Sequence, residues 1–245
     1  MIQLFNTVLV HPLLNLLVFF YNTIAFHDLG LAIIFLTLLT RIILYPLSLS
    51  QIKSQKSLAG LQEKVNEIKK QYPNNKEQQA RATMEMYRAN KVNPFSSCLS
   101  FLIQFPILLA VYQVFRSGIA SDNLPIYSFI TNPGKLNPLA FGFLDLASKS
   151  FILALLTGIA QYFQSKMLVR KKPPVSVAKE KGAKDETMMT ALNKQMVIML
   201  PIFTVIIGMG LPAGLIFYWL ISTVSTIVQQ LIMFRKKKEK EVIKG

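Results

Sequence analysis

The fold is decided by the stretch LGLAIIFLTLLTRIILYPLSL, residues 29–49, which is apolar over 21 residues apart from one arginine near its centre, Arg41. A helix of this length rises about 30 Å, the thickness of the hydrocarbon core of a bilayer. An arginine at mid-span costs about 2.5–3.5 kcal/mol on insertion scales, and it cannot escape by losing its proton. The stretch therefore predicts a transmembrane helix in which Arg41 has a compensating partner or faces water held within the membrane.

The composition of the chain points to a membrane protein with several spans. Of its 245 residues, 52% are hydrophobic and only 16% are charged, and the mean hydropathy is +0.40. The single cysteine, Cys98, and the two histidines show no spacing for a disulfide framework or a metal site. The sequence has no glycine-rich phosphate loop, no Ser/His/Asp pattern and no paired carboxylates in an apolar setting. We therefore expect neither an enzyme nor a cofactor.

Hydrophobic length predicts an all-α polytopic protein with five transmembrane helices. The predicted spans are 29–49, 95–115, 150–169, 196–211 and 213–233, and a basic tail follows at 234–245. A turn cluster at Gly208–Gly214 divides the last long apolar stretch into two helices. The fourth span is short, so it requires a locally thinned bilayer or a place behind its neighbours.

Basic residues set the orientation of these spans. Of the 27 lysines and arginines, nine lie in the 53–93 loop, eight in the 166–195 loop and six in the tail. Because basic residues concentrate in cytoplasmic loops, this distribution predicts an N-terminus outside and a C-terminus in the cytoplasm. No other predicted span carries an Asp or Glu near its middle, which makes Arg41 a functional candidate. The alternative is a structural arginine neutralised by an acidic side chain.

Residues 1–28 are predicted to form an amphipathic helix on the outer membrane interface. Polar residues interrupt this apolar segment, and Asn15 and Asn22, seven positions apart, share one helix face. The alternative is a further span. It would leave a very short link from Phe26 to Leu29 and an inner N-terminus without a basic anchor.

The 53–93 loop is predicted to form a cytoplasmic helical hairpin. Apolar residues recur at three- and four-residue steps on either side of the turn at 72–75, which indicates two amphipathic helices. The first stripe consists of Leu58, Leu61, Val65, Ile68 and Tyr72, and the second of Ala80, Met84 and Tyr87.

Three segments together resemble the YidC/Oxa/Alb family of membrane protein insertases. They are TRIILYPL at 40–47, KVNPFSSC through IQFPI at 91–107, and LPAGLIFYW through QQ at 211–230. They occur in the order and spacing of the family, and the resemblance covers essentially the whole chain. We expect a form without the extra span and periplasmic domain of diderm members, the lipoprotein signal of many monoderm members and the long ribosome-binding tail of mitochondrial members. The resemblance therefore predicts a minimal bacterial form in the plasma (inner) membrane.

The resemblance implies a wet groove between the spans, open to the cytoplasm and to lipid and closed on the outer side. Each polar residue alone could equally be a helix–helix contact worth about 0.6–2 kcal/mol. Together, polar residues on four spans favour one shared surface. The candidate substrate-binding residues are Thr37 and Arg41, one turn apart on the first span, Gln104 on the second, Gln161 on the third, and Tyr218, Trp219, Ser222 and Thr226 on the fifth.

The expected function is insertion and folding of nascent membrane proteins without covalent chemistry. Arg41 would attract an acidic substrate tail, and the hydrophobic segment of the substrate would then partition into lipid. The expected partners are nascent membrane proteins and the lipid bilayer, with the ribosome and the Sec translocon as further candidates and no DNA. Two alternatives are a small-anion transporter or channel and a structural assembly subunit. The sequence shows no internal repeat of the kind that transporters often contain.

Overall fold

The computed structural model describes residues 2–73, 75–93, 96–120, 124–168 and 197–242. Two short strands, β1 (Leu139–Ala140) and β2 (Leu144–Asp145), pair antiparallel, and the other regular elements are helical. The predicted all-α class is therefore confirmed apart from this strand pair. The helices are α1 (Ile2–Phe5), a π-helical turn (Asn6–Val10), α2 (His11–Thr23), α3 (Leu29–Ile43), α4 (Tyr45–Gly60), α5 (Gln62–Gln71), α6 (Lys76–Ala89), α7 (Ser96–Ala120), α8 (Phe151–Leu168), α9 (Val197–Gly208) and α10 (Ala213–Val242).

Four predicted spans overlap helices α7 to α10, and α7 and α10 continue beyond the predicted ends at 115 and 233 to Ala120 and Val242. Among the described residues, two helical stretches are long and apolar enough to cross a membrane, Gln3–Thr23 and Ala213–Phe234, and the bent pair α3–α4 could be a third. Helix α9 is apolar but shorter than a full crossing. The count of five spans stays a prediction, and residues 169–196 and 243–245 lie outside the described part of the chain.

The predicted span 29–49 is not one straight helix. Helix α3 ends at Ile43, α4 begins at Tyr45, and their axes are inclined by 70°. Pro46 lies in the first turn of α4, where the lack of an N–H is tolerated, but the carbonyl of Ile42 loses its helical donor as a result. The prediction of a continuous helix was wrong, and Arg41 lies in the last turn of α3 instead of at mid-helix.

One face of α2 contacts the segment 124–150, called here the outer loop after the side of the membrane on which the sequence predicts it. The side-chain oxygen of Asn15 accepts a hydrogen bond from the Tyr127 N–H at 2.6 Å, and Asn22 donates to the Thr131 carbonyl at 2.8 Å. The shared polar face of the two asparagines is thus occupied by protein. Because Gln3–Thr23 is also long enough to cross a membrane, its placement on the interface stays a prediction.

The outer loop contributes to the hydrophobic core and connects neighbouring ends of several helices. Its Leu136 and Leu146 are almost fully buried together with core leucines of α2 and α3. The first N–H groups of α10, which have no partners within their own helix, donate to this loop. Ala213 donates to the Ser148 carbonyl at 2.7 Å and Gly214 to the Leu146 carbonyl at 2.9 Å.

The predicted hairpin corresponds in part to α5 and α6, which pack against each other on either side of the 72–75 turn. Residues 53–60 belong to α4 instead, since no residue interrupts that helix before Gly60. Val65 of the first stripe is buried, but Ala80 and Met84 are exposed, so the predicted second stripe was wrong for these two residues. Burial raises the pKa of the Tyr87 hydroxyl.

Candidate functional site

A polar cluster surrounds the guanidinium of Arg41 where α3, α7 and α10 approach one another. The Arg41 Nη2 donates to the side-chain oxygen of Gln104 at 3.5 Å and also to the Ser222 hydroxyl. Three helices that are distant in sequence therefore each contribute one polar group. We call this set, together with Thr40 and Tyr218, the Arg41 cluster.

Tyr218 supplies the buried side of the Arg41 cluster. Its side chain is only 2% exposed, and its hydroxyl lies near the side chains of Gln104, Ser222 and Thr40. Among the described residues, the buried amide nitrogen of Gln104 has no hydrogen-bond partner. An unpaired buried donor costs about 1–3 kcal/mol, so the cluster retains a donor that a bound group could satisfy.

The charge of Arg41 is not compensated by a carboxylate in the described part of the chain. The ion pair found there joins Glu77 to Arg81 on α6, and the groups bound to Arg41 are neutral. The position in the last turn of α3 favours a cation through the helix dipole, by about 0.3–1 kcal/mol. A half-buried guanidinium with neutral neighbours can bind a carboxylate through charge-assisted hydrogen bonds.

A second polar contact joins α4 to α10. Each of its residues lies seven positions after a residue of the Arg41–Ser222 contact. Ser48 donates to the Gln229 side-chain oxygen at 3.2 Å, as Arg41 does to Ser222. The seven-residue spacing, from Arg41 to Ser48 and from Ser222 to Gln229, is a sequence signal for Ser48, which was not among the predicted site residues. The neighbouring Gln230 is fully buried, and neither of its amide atoms has a partner among the described residues.

In the described structure, none of the remaining predicted residues forms a hydrogen bond from its own side chain to a side chain of the Arg41 cluster. Thr37 is fully buried and donates to the Ile33 carbonyl of its own helix at 2.6 Å. Thr226 likewise donates to the Ser222 carbonyl at 3.0 Å. Gln161 instead accepts a hydrogen bond from Thr204 of α9 at 2.6 Å, and Trp219 packs half-buried against the hydrophobic core. The structure thus joins Arg41, Gln104, Tyr218 and Ser222 and leaves the other four apart.

Comparison with known proteins gives a consistent family. The profile described as "60Kd inner membrane protein" matches residues 19–241. The membrane protein insertase YidC of Fusobacterium nucleatum is 33% identical over 208 residues, which cover 84% of this chain and 86% of that protein. The YidC of Geobacter metallireducens is 32% identical over 224 residues, covering 91% of this chain and 36% of that protein. This chain therefore spans little more than a third of the Geobacter relative.

A solved structure, described as an active YidC insertase with the first transmembrane domain resolved, has the same fold. It matches with a TM-score of 0.53 at 26% identity, over 84% of this chain and 41% of that one. The family is one of membrane-integral insertases and not of enzymes, as the sequence predicted. The matched residues include the whole Arg41 cluster. From the profile, the relatives and the fold together, the chain belongs to the YidC/Oxa family of membrane protein insertases.

Proposed function

We propose that this chain inserts nascent membrane proteins into the bilayer and helps them fold, with the Arg41 cluster as the polar site that receives the substrate. The observation that carries the proposal is the half-buried guanidinium of Arg41, which contacts neutral groups from two other helices. Keeping an unpaired charge among apolar helices is costly for a purely structural residue. A site that binds acidic segments transiently explains the absence of a permanent carboxylate partner in the described part of the chain.

The proposed mechanism has three parts: electrostatic attraction of the substrate tail, a shorter apolar distance for that tail to cross, and partitioning of the hydrophobic segment of the substrate into lipid. An acidic N-terminal tail binds Arg41, where a unit charge pair at 4 Å is worth about 4 kcal/mol at an effective dielectric constant of about 20. A wet groove between the predicted spans shortens the apolar distance that the tail crosses. The hydrophobic segment of the substrate then enters lipid, and burial of its apolar surface at about 25 cal/mol per Å² drives the step. Thr37, Gln161, Trp219 and Thr226 are proposed to line the same groove.

The proposed setting is the plasma (inner) membrane of a bacterium, with five spans, the N-terminus outside and the C-terminus in the cytoplasm. The concentration of basic residues in two loops and the tail supports this orientation. The hairpin of α5 and α6 is proposed as a docking element that captures the substrate before Arg41 does. Contacts of this protein with the ribosome and the Sec translocon stay predictions.

Insertion of a tagged single-span reporter into proteoliposomes tests the role of Arg41. Arg41→Ala should reduce insertion of a reporter with an acidic tail at least about tenfold, since about 1.4 kcal/mol of lost attraction suffices for that factor. Arg41→Lys should do less harm, because it keeps a cation but loses the forked geometry. Arg116→Ala is the matched control. Arg116 is an exposed arginine near the end of α7, whereas Gln104 of the Arg41 cluster lies nearer the start of that helix.

Three outcomes of this experiment distinguish an insertase from a small-anion transporter. Selective loss with acidic tails supports the proposal. Equal insertion by the wild type and Arg41→Ala, across tails of differing charge, contradicts it. Arg41-dependent flux of a small anion through protein-containing liposomes, without an effect on insertion, would favour the transporter.

A further inference from the structure

The three most exposed large apolar side chains of the described residues are phenylalanines at the outer end of the molecule. Phe26 is 85% exposed, Phe129 80% and Phe143 79%. Phe26 lies between α2 and α3, and the other two belong to the outer loop. Scattered exposed apolar residues are ordinary, but rings this exposed in neighbouring turns indicate an interaction surface.

Two of these rings are placed by turns with an uncommon backbone. Phe26 and His27 have φ angles of 52° and 61°. In the turn between β1 and β2, called here the strand turn, φ is 53° at Phe141 and 77° at Gly142. Positive φ is rare and costly for residues other than glycine, so an observed outlier of this kind suggests a function. Hydrogen bonds also hold the strand turn, because the Phe143 N–H donates to the Ala140 carbonyl at 3.1 Å.

Ring contacts connect the strand turn to a membrane-spanning helix. Phe143 lies 6.3 Å from Phe141 between ring centroids, and Phe141 lies 5.8 Å from Phe217. Phe217 is in the first turns of α10, in the apolar stretch Ala213–Phe234 that is long enough to cross a membrane. Phe217 is itself buried in the hydrophobic core, so these contacts anchor the exposed ring of Phe143 beside the first turns of α10.

Charge in the outer loop also favours lipid over a protein partner. The loop carries Lys135 and Lys149 but only one acidic residue, Asp145, whose carboxylate accepts the Ala147 N–H at 2.9 Å. Basic side chains beside apolar rings fit anionic headgroups above acyl chains. From the exposure, the backbone, the charge and this position beside α10, we propose that Phe26, Phe129 and Phe143 insert into the outer leaflet of the bilayer, at the boundary of headgroups and acyl chains. The outer loop is then an element that lies in lipid, and not a cap surrounded by water.

Spin labelling of the full chain in liposomes tests this placement. In a Cys98→Ser background, a nitroxide is attached to Phe129→Cys, to Phe143→Cys and, as the matched control, to Lys135→Cys, an exposed polar position in the same loop. Collision with oxygen, which concentrates in lipid, and with a water-soluble nickel chelate is then measured at each label. The ratio of oxygen to nickel accessibility should be several-fold higher at 129 and 143 than at 135.

Each other result contradicts the proposal. A ratio at 129 and 143 equal to that at 135 means that the rings face water. Protection from both reagents means that protein covers the surface, either a second copy or another partner. Cysteine at an exposed position is well tolerated, and retained insertion of the reporter confirms that each labelled protein is folded.

Discussion

Replacement of Asp28 should show how much each of its two hydrogen bonds stabilises the protein, one within α3 and one between the start of α3 and the outer loop. The Asp28 carboxylate accepts the Leu31 N–H at 2.9 Å, which caps α3, and with its other oxygen it accepts the Phe141 N–H of the outer loop. Loss of the cap costs about 1 kcal/mol. The second bond is charge-assisted, but because it is exposed to solvent we assign it about 1 kcal/mol, below the range of about 1.5–3 kcal/mol for hydrogen bonds to charged groups. Asp28→Ala should therefore lower the free energy of unfolding by about 2 kcal/mol.

Asp28→Ser is the matched variant, because serine keeps an N-cap oxygen but is too short to reach Phe141. It should lose only about 1 kcal/mol. Thermal unfolding of the purified protein in detergent, followed by circular dichroism and Trp219 fluorescence, measures both changes. In a chain of this size 1 kcal/mol corresponds to about 2–4 °C in Tm, so the expected order is wild type, then Ser, then Ala at even steps. Equal melting of the Ser and Ala variants would refute the separate contribution of the cap, and unchanged melting of both would refute the whole argument.

Two further substitutions test the packing of α10 and its neighbours. A side-chain carbon at Gly158 would overlap the Val205 side chain and lie 3.1 Å from the Pro201 carbonyl oxygen, so Gly158→Ala should cost about 1–3 kcal/mol of stability, and Val205→Ala should restore part of it in the same unfolding assay. Gln230→Leu removes a fully buried amide that is unpaired among the described residues, so stability should stay equal or rise by about 1 kcal/mol. A clear loss of stability instead would mean that the amide has a partner.

The sequence predicts which helices exist better than it predicts how they are oriented. Apolar length places the first residues of α7 to α10 within one position, because exclusion of charge over many positions is a strong signal, but α10 continues past the predicted end at 233 to Val242. The break between Ile43 and Tyr45 was missed, although Pro46 marks it, because the surrounding residues are apolar enough to continue a span. The spacing alone predicted burial of Ala80 and Met84, but both are exposed, and Tyr87 is the one residue of the predicted second stripe that is partly buried.

The polar residues of the Arg41 cluster could be predicted from the sequence, but not which of them contact one another. Polarity within an apolar helix identifies Gln104, Ser222 and Gln161 equally well, since each costs free energy unless it is paired. Which partner each finds depends on the rotation of one helix against the next. That rotation places Ser222 beside Arg41 and pairs Gln161 with Thr204, and it depends on side-chain packing that no local pattern records.

The hydrogen bonds of the outer loop have a consequence for the order in which this chain itself folds. The loop binds Asn15 of α2, which is synthesised early, and its carbonyls accept the N–H groups of Ala213 and Gly214, which follow more than 60 residues after the loop. Contacts of such large sequence separation form slowly, because a long segment of chain must first be closed. The outer loop therefore reaches its final structure only after α10 has left the ribosome, and a chain stalled before α10 should expose the loop to added protease.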